Sequence, residues 1–208
     1  MEYIRTEKKS IFNILILAIF ASIEIIFCFT PLGSIPIGPG IVATLAHIPV
    51  IISAFLLEKK YSLIMGGIMG LCSFIWWSTI GLASPTSFAF TPFSEFGNFY
   101  SIIICFIPRL LIPFFTSVTF DFLKRKINIS VSAGISAAFS TFLHSVMVLS
   151  MIYLFFHKNT NVSELLGKNF LNFIILWAGV NSIIEIITAG FVAAMVIKPL
   201  KSLKSDKI

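Results

Sequence analysis

The polar positions of this chain divide it into long apolar runs separated by short breaks that carry proline, glycine or charge. Six runs stand out, over 11–29, 41–57, 61–83, 99–123, 131–156 and 170–197. A membrane-crossing helix needs about 20 apolar residues, and the longer runs have enough to cross with some tilt. The breaks have turn chemistry. Pro31-Leu32-Gly33-Ser34-Ile35-Pro36-Ile37-Gly38-Pro39-Gly40 is too rich in proline and glycine to be helical. Glu58-Lys59-Lys60 and Lys124-Arg125-Lys126 are charged turns, Ser84-Pro85-Thr86-Ser87 opens a longer loop reaching Asn98, and 157–169 is polar. The pattern predicts an all-α membrane protein, a bundle of six transmembrane helices filling residues 1–208 as a single integral membrane domain.

Composition agrees. The chain is 57% hydrophobic and 12% charged, with 23 Phe, whereas a soluble domain carries about 25% charged residues. A net charge of +6 would suit nucleic acid, but the basic residues sit in short clusters at the ends of apolar runs. That placement is an orientation signal, and no nucleic-acid partner is expected. With a cytoplasmic N-terminus, twelve Lys and Arg fall on the inner side, and Lys158 and Lys168 on the outer. Both termini are therefore predicted cytoplasmic. The run over 11–29 is too long for a signal-peptide core, and no small-x-small cleavage site follows, so it reads as a retained first span. Cys28, Cys72 and Cys105 lack metal-ligand spacing and read as small buried apolar groups, so no metal or cofactor is expected.

Five ionisable residues interrupt the apolar runs: Glu24, His47, Arg109, His144 and Glu185. A charge in hydrocarbon costs roughly 2.5–3.5 kcal/mol on insertion scales, and such residues usually face a bundle interior or a solute cavity. The aliphatic and aromatic residues around Arg109, at about −0.3 to −0.6 kcal/mol each, outweigh about +3 for the arginine. Pro108 and Pro113 predict a kinked helix whose freed carbonyls line a cavity. At 1.5 Å per residue, Glu24 and His144 lie roughly 20 Å from the inner end, His47 two turns below the outer end, and Arg109 near the midplane. Four of the five thus share one layer. Glu185 lies deeper, one turn from Asn181 on the same face.

Such a layer suits a pocket for a small anionic solute, with the planar fork of Arg109 available to a carboxylate. Trp76 and Trp77 near the outer end either stack on that solute or form an interfacial aromatic belt. His47 before Pro49 is either a ligand contact or a helix-terminus hydrogen bond. Arg109 with Glu185 or Glu24 is alternatively a buried ion pair. Glu95 and Asn98, in the outer loop, are further candidate contacts. Small residues mark close helix packing: Ala18, Ala21 and Ser22 on the first span, Gly66, Gly67 and Gly70 on the third, and Ala189, Gly190, Ala193 and Ala194 on the sixth. The first of these faces can alternatively meet another membrane protein. No Walker A, H-E-x-x-H or G-x-S-x-G pattern occurs, which argues against an enzyme. Six spans leave little room for two large inverted repeats, so transport would draw its energy from ion coupling or a separate ATPase.

The segment from Leu32 to Gly40, with Thr44 and His47-Ile48-Pro49-Val50-Ile51-Ile52, resembles the start of energy-coupling factor (ECF) transporter S components. Ser84-Pro85-Thr86-Ser87, Phe90-Thr91-Pro92-Phe93 and Pro108-Arg109 resemble the subgroup often assigned to pantothenate. The resemblance implies a non-enzymatic six-helix subunit of the bacterial plasma membrane that captures a small vitamin from outside. It implies as partners a transmembrane coupling subunit and two cytoplasmic ATPases. By the same resemblance Ala18, Ala21 and Ser22 would form the docking patch, with Ser22 replacing an alanine. Arg109 would bind the carboxylate, with His144, Asn98, His47, Glu24, Glu95 and Asn181 supplying polar contacts and Trp76 or Trp77 covering the apolar part. Riboflavin or another vitamin is the alternative solute, and a non-transport envelope-assembly membrane protein the alternative class.

The orientation has a direct check. In a variant without native cysteines, Ser94→Cys is expected to react with a membrane-impermeant thiol reagent applied to intact cells, and Arg125→Cys is not. The reverse pattern would invert the topology.

Overall fold

A computed structural model describes residues 2–38, 41–158 and 179–205. Its helices are α1 (Glu2–Phe29), α2 (His47–Leu56), α3 (Lys59–Ser78), α4 (Phe99–Leu123), α5 (Ile129–Phe156) and α6 (Gly179–Ser205). All but α2 are long and apolar enough to cross a membrane. Between α1 and α2 lies an antiparallel hairpin of β1 (Ser34–Gly38) and β2 (Ile41–Thr44), in which Ser34 faces Thr44 and Pro36 faces Val42. Short 3-10 turns follow α1, at Pro31–Gly33, and α3, at Ile80–Ala83 and Ser87–Ala89.

The predicted second span, 41–57, is corrected by this arrangement. Its first four residues are strand, since β-branched Ile41, Val42 and Thr44 favour extended backbone and a Pro/Gly-rich partner strand precedes them. The helix that remains has ten residues, about 15 Å, half the hydrocarbon thickness. Pro49 sits in its first turn, where the missing N–H breaks no helical bond. Every residue of α2 except Ile52 is buried, so α2 is the centre of the bundle. The fourth span matches α4 end to end, and the fifth starts two residues early. The third stops being α-helical at Ser78 and turns 3-10 over Ile80–Ala83. For the sixth, positions 170–178 lie outside the described residues, and α6 continues past 197 to Ser205.

Two apolar clusters hold the helices. One gathers Val50, Ile51 and Phe55 of α2 with Phe20, Met65, Ile112, Ala133, Ala137, Ala189 and Ala193. The second packs Phe88, Ala89 and Phe90, from the segment joining α3 and α4, against Ile104, Leu149, Ile152 and Phe156. That segment is therefore inside the bundle mouth. Ser101 Oγ donates to the Phe88 carbonyl at 2.6 Å, and the hydroxyls of Ser78 and Thr91 lie 2.8 Å apart. At the lysine-rich end, Asn13 accepts the Glu58 N–H at 3.2 Å and ties α1 to the α2–α3 turn.

Close backbone approach explains two of the small-residue faces. A Cβ on Gly190 of α6 would stand 3.2 Å from the Gly134 carbonyl oxygen of α5, and one on Gly66 of α3 only 2.7 Å from that of Arg109 on α4. Pro113, four residues after Arg109, has no N–H for that carbonyl, so the freed oxygen rests against a bare Cα. Gly67 is different, because its Cβ would meet only a Leu110 methyl at 3.7 Å. Gly66→Ala is therefore expected to destabilise the protein by about 1–3 kcal/mol and Gly67→Ala to have little effect. Thermal unfolding of the two variants in detergent checks this, and equal losses would contradict it.

Candidate functional site

The chemistry at Arg109 begins with its neighbour. Pro108 interrupts α4 and cannot donate the bond that the Ile104 carbonyl would receive in a regular helix. Arg109 Nη1 donates to that carbonyl instead, at 3.0 Å. Helical side chains lean toward the helix N-terminus, which makes this reach natural. The guanidinium carbon also lies 4.8 Å from the centroid of the Phe90 ring, over its face. Arg109 is thus buried, at 7% exposure, and fixed on two sides. Its Nε has no hydrogen-bond partner.

Two imidazoles share this region. His47, the first residue of α2, and His144, on α5, stack with centroids 6.5 Å apart and ring planes 20° from parallel. Both lie near enough to Arg109 to feel its charge. Each has a buried Nε2 with no partner. Glu185 of α6 also lies within electrostatic reach of Arg109, and its Oε1 accepts the Thr44 N–H at 2.9 Å. That bond ties the last residue of the hairpin to α6, three residues before His47. Asn181 sits half-buried one turn earlier on α6.

Glu24 is fully buried on α1. Its Oε1 accepts a hydrogen bond from Cys28 Sγ at 3.3 Å, and its Oε2 has no partner. Among the described residues Arg109 forms no ion pair with Glu24 or Glu185; the described pair is Lys124 with Asp121, at the lysine-rich end. The buried ion-pair alternative is thus not what holds the arginine.

The aromatic candidates lie one layer further along. Trp77 stacks on Phe90 at 4.9 Å, and Trp76 meets Trp77 edge to face at 4.8 Å. A continuous path runs from Arg109 through Phe90 to the tryptophans. The structure does not bring the loop candidates into this group. Asn98 caps α4, its Oδ1 accepting from Tyr100 N at 2.9 Å while Ser101 Oγ accepts from Asn98 N. Glu95 is exposed. On α1, Ala18 and Ser22 share an exposed face, with Ser22 Oγ donating to the Ala18 carbonyl at 2.9 Å, whereas Ala21 packs against the core.

The sequence reading missed two residues here. Phe90 looks like any apolar loop residue until the loop is seen inside the bundle. Thr141, buried on α5, has a hydroxyl without a partner; its spacing of three from His144 is the signal that it shares that face. A buried polar atom without a partner costs about 1–3 kcal/mol. Native proteins hold few of them. Here five occur among the described residues, on Glu24, His47, Arg109, Thr141 and His144. A cavity of about 600 Å³ lies elsewhere, bordered by Phe55, Glu58, Lys59, Phe120, Asp121 and Lys124 among others. It is at the lysine-rich end, where the charges are solvated or paired, so Arg109 with the unsatisfied imidazoles of His47 and His144 is the better candidate for recognition.

A family model described as "ECF transporter, substrate-specific component" matches residues 12–197. The chain is 29% identical over 208 residues to the pantothenic acid transporter PanT of Lactococcus lactis subsp. cremoris, covering 96% of this chain and 99% of that protein. It is 29% identical over 174 residues to the pantothenate transporter PanT of Leuconostoc mesenteroides subsp. mesenteroides, covering 79% of each. With nearly its whole length matched and five apolar helices, the chain belongs to the substrate-specific (S) components of ECF transporters, which are multi-pass plasma-membrane transport subunits rather than enzymes.

Proposed function

We propose that this S component binds pantothenate from the cell exterior and passes it inward with a transmembrane coupling subunit and two cytoplasmic ATPases. The observation that carries the reading is the set of unpartnered polar atoms that α2, α4 and α5 bring around a buried arginine. The names of the two relatives supply the vitamin. Pantothenate has one carboxylate, and Arg109 is the buried cation of this region. Binding a carboxylate through Nε and the remaining Nη is the arrangement a guanidinium favours. His47 and His144 lie alongside as hydrogen-bond partners. Trp77, with Trp76 behind it, covers the apolar part of the ligand from the Phe90 side.

In this reading the chain is one membrane-embedded unit that crosses six times, with both termini in the cytoplasm. The second crossing is composite, hairpin followed by α2, and the hairpin end faces outward. The lysine clusters favour this orientation. The exposed Ala18 and Ser22 on α1 are the docking face for the coupling subunit, flanked by exposed Ile11, Ile14, Leu15, Ile19, Ile25 and Ile26.

Calorimetric titration of the purified protein with pantothenate tests the site. Arg109→Ala is expected to weaken binding by about a hundredfold or more, the scale for removing one partner of a buried charged pair. Arg109→Lys is expected to fall between, because it keeps the charge and loses the fork. Parent-like binding by Arg109→Ala would remove the arginine from the site. A second test concerns the aromatics. Trp77→Ala is expected to weaken binding by about tenfold and Trp76→Ala by less, on the scale of one stacking contact. An equal or reversed order would overturn the assignment of Trp77 as the covering residue.

A further inference from the structure

The cavity at the lysine-rich end has a lining of a different kind from the Arg109 region. Its floor is aromatic: Phe55, near the end of α2, packs on Phe120 of α4 with ring centroids 4.7 Å apart. Its rim is basic and comes from three elements. Lys59 opens α3, Lys124 caps the end of α4, and Lys201 lies near the end of α6. The ammonium groups of Lys124 and Lys201 both turn in over the buried Phe120 ring, at 5.5 and 4.8 Å from its centroid. Two cations from separate helices are thus gathered at one ring, against their mutual repulsion. Asp121 pairs with Lys124, and Glu58 borders the same space, so two carboxylates face three ammonium groups and one positive charge is in excess.

Depth and shape indicate what that charge can meet. With the lysine clusters on the cytoplasmic side, the cavity stands at the level of the inner-leaflet headgroups. The membrane surface there is negative, and basic pockets between membrane helices take up phosphate-bearing headgroups. A volume of about 600 Å³ falls in the range usual for small-ligand sites. The side of α4 that borders the cavity carries Ser117, Phe120, Asp121 and Lys124, a spacing that puts them on one helical face. On the next face round, Phe114, Val118 and Phe122 are exposed at four-residue spacing, an apolar stripe along which an acyl chain can lie. Lys126 Nζ lies over the Phe122 ring at 4.2 Å, where a long basic side chain reaches from the apolar layer to the headgroups. A soluble phosphate would use the lysines and leave the stripe bare, whereas a phospholipid uses both.

We infer that this cavity binds an anionic glycerophospholipid of the inner leaflet, its phosphate held by Lys59, Lys124 and Lys201 and an acyl chain running along Phe114, Val118 and Phe122. The inference goes beyond the vitamin reading and shares with it only the cytoplasmic placement of the lysine clusters. Asp121 keeps Lys124 in position before the phosphate arrives. That pair is partly exposed, so exchanging the carboxylate for a phosphate costs little. The bound lipid ties the ends of α4 and α6 to the turn between α2 and α3.

Native mass spectrometry of the full-length protein, released from detergent with dioleoyl phosphatidylglycerol or dioleoyl phosphatidylcholine added, tests this. The parent is expected to retain one phosphatidylglycerol and to hold it more tightly than phosphatidylcholine. Lys124→Gln with Lys201→Gln is expected to weaken that retention by about thirtyfold, at about fivefold for each lysine beside an anionic lipid. Lys124→Arg with Lys201→Arg keeps both charges and is expected to stay near the parent, which separates loss of charge from loss of fold. Lys60→Gln with Lys126→Gln removes two lysines outside the cavity lining and is the control, expected to retain lipid like the parent. Glycerol 1-phosphate at the same concentration is expected not to displace the lipid; displacement would make the ligand a soluble phosphate and overturn the inference. Equal retention of the two lipids, or an equal loss in the Lys60 and Lys126 variant, would show a general basic belt and overturn it as well. Calorimetry with pantothenate follows the Arg109 site separately, and its failure there would bear on the vitamin alone.

Discussion

One contact, between Arg109 and the carbonyl that Pro108 leaves free, sets up the rest of the site. Separately, each residue is a liability in a membrane helix: the proline opens the backbone, and the arginine brings a charge into hydrocarbon. Adjacent, they answer each other. The guanidinium fills the gap in the helical ladder, and the ladder fixes the guanidinium, with one edge spent on Ile104 and the Nε edge still available. Phe90 closes the face of the group. In the proposed role, a ligand meeting this guanidinium would spend little entropy on ordering it, because the side chain is already held by Ile104 and Phe90.

The surrounding architecture serves this geometry. Gly66 lets α3 approach the Arg109 carbonyl that Pro113 frees, so both prolines of α4 have their orphaned oxygens accommodated by specific neighbours. Helix α2 is short and buried because it delivers His47 into the middle of the bundle, and the Glu185–Thr44 bond holds the hairpin end from which α2 starts. The loop carrying Phe90 is stitched to α3 and α4 by Ser78, Thr91 and Ser101. The result is a frame of hydrogen bonds and close contacts around groups that are not themselves satisfied, the pattern that the proposed binding role calls for.

Much of this was legible in the sequence. Long apolar runs fix helices well, which is why α4 falls where it was expected. The ionisable residues inside those runs pointed to one layer, and the motifs around His47 and Pro108-Arg109 pointed to the family that the comparison then showed. That match favours transport over the envelope-assembly and enzyme readings. What remained hidden depended on backbone geometry. An apolar run with β-branched residues reads as helix or strand equally, so the hairpin at Ile41–Thr44 was absorbed into a span. Asn98 carries the signature of a helix cap, but its loop position made it look like a ligand contact. Thr141 is one of many hydroxyls on α5, and only the hydrogen bonds of its neighbours set it apart.

The chain has three arginines, Arg5, Arg109 and Arg125, which permits a direct look at the central group. In protein labelled with nitrogen-15 arginine, nuclear magnetic resonance follows each Nε–H as pantothenate is added. A single buried Nε–H, absent from Arg109→Lys, should move to the shift of a charge-assisted hydrogen bond and gain protection from solvent exchange at saturation. If the ligand binds and that resonance stays where it was, the carboxylate is held elsewhere and the account built on Arg109 is wrong.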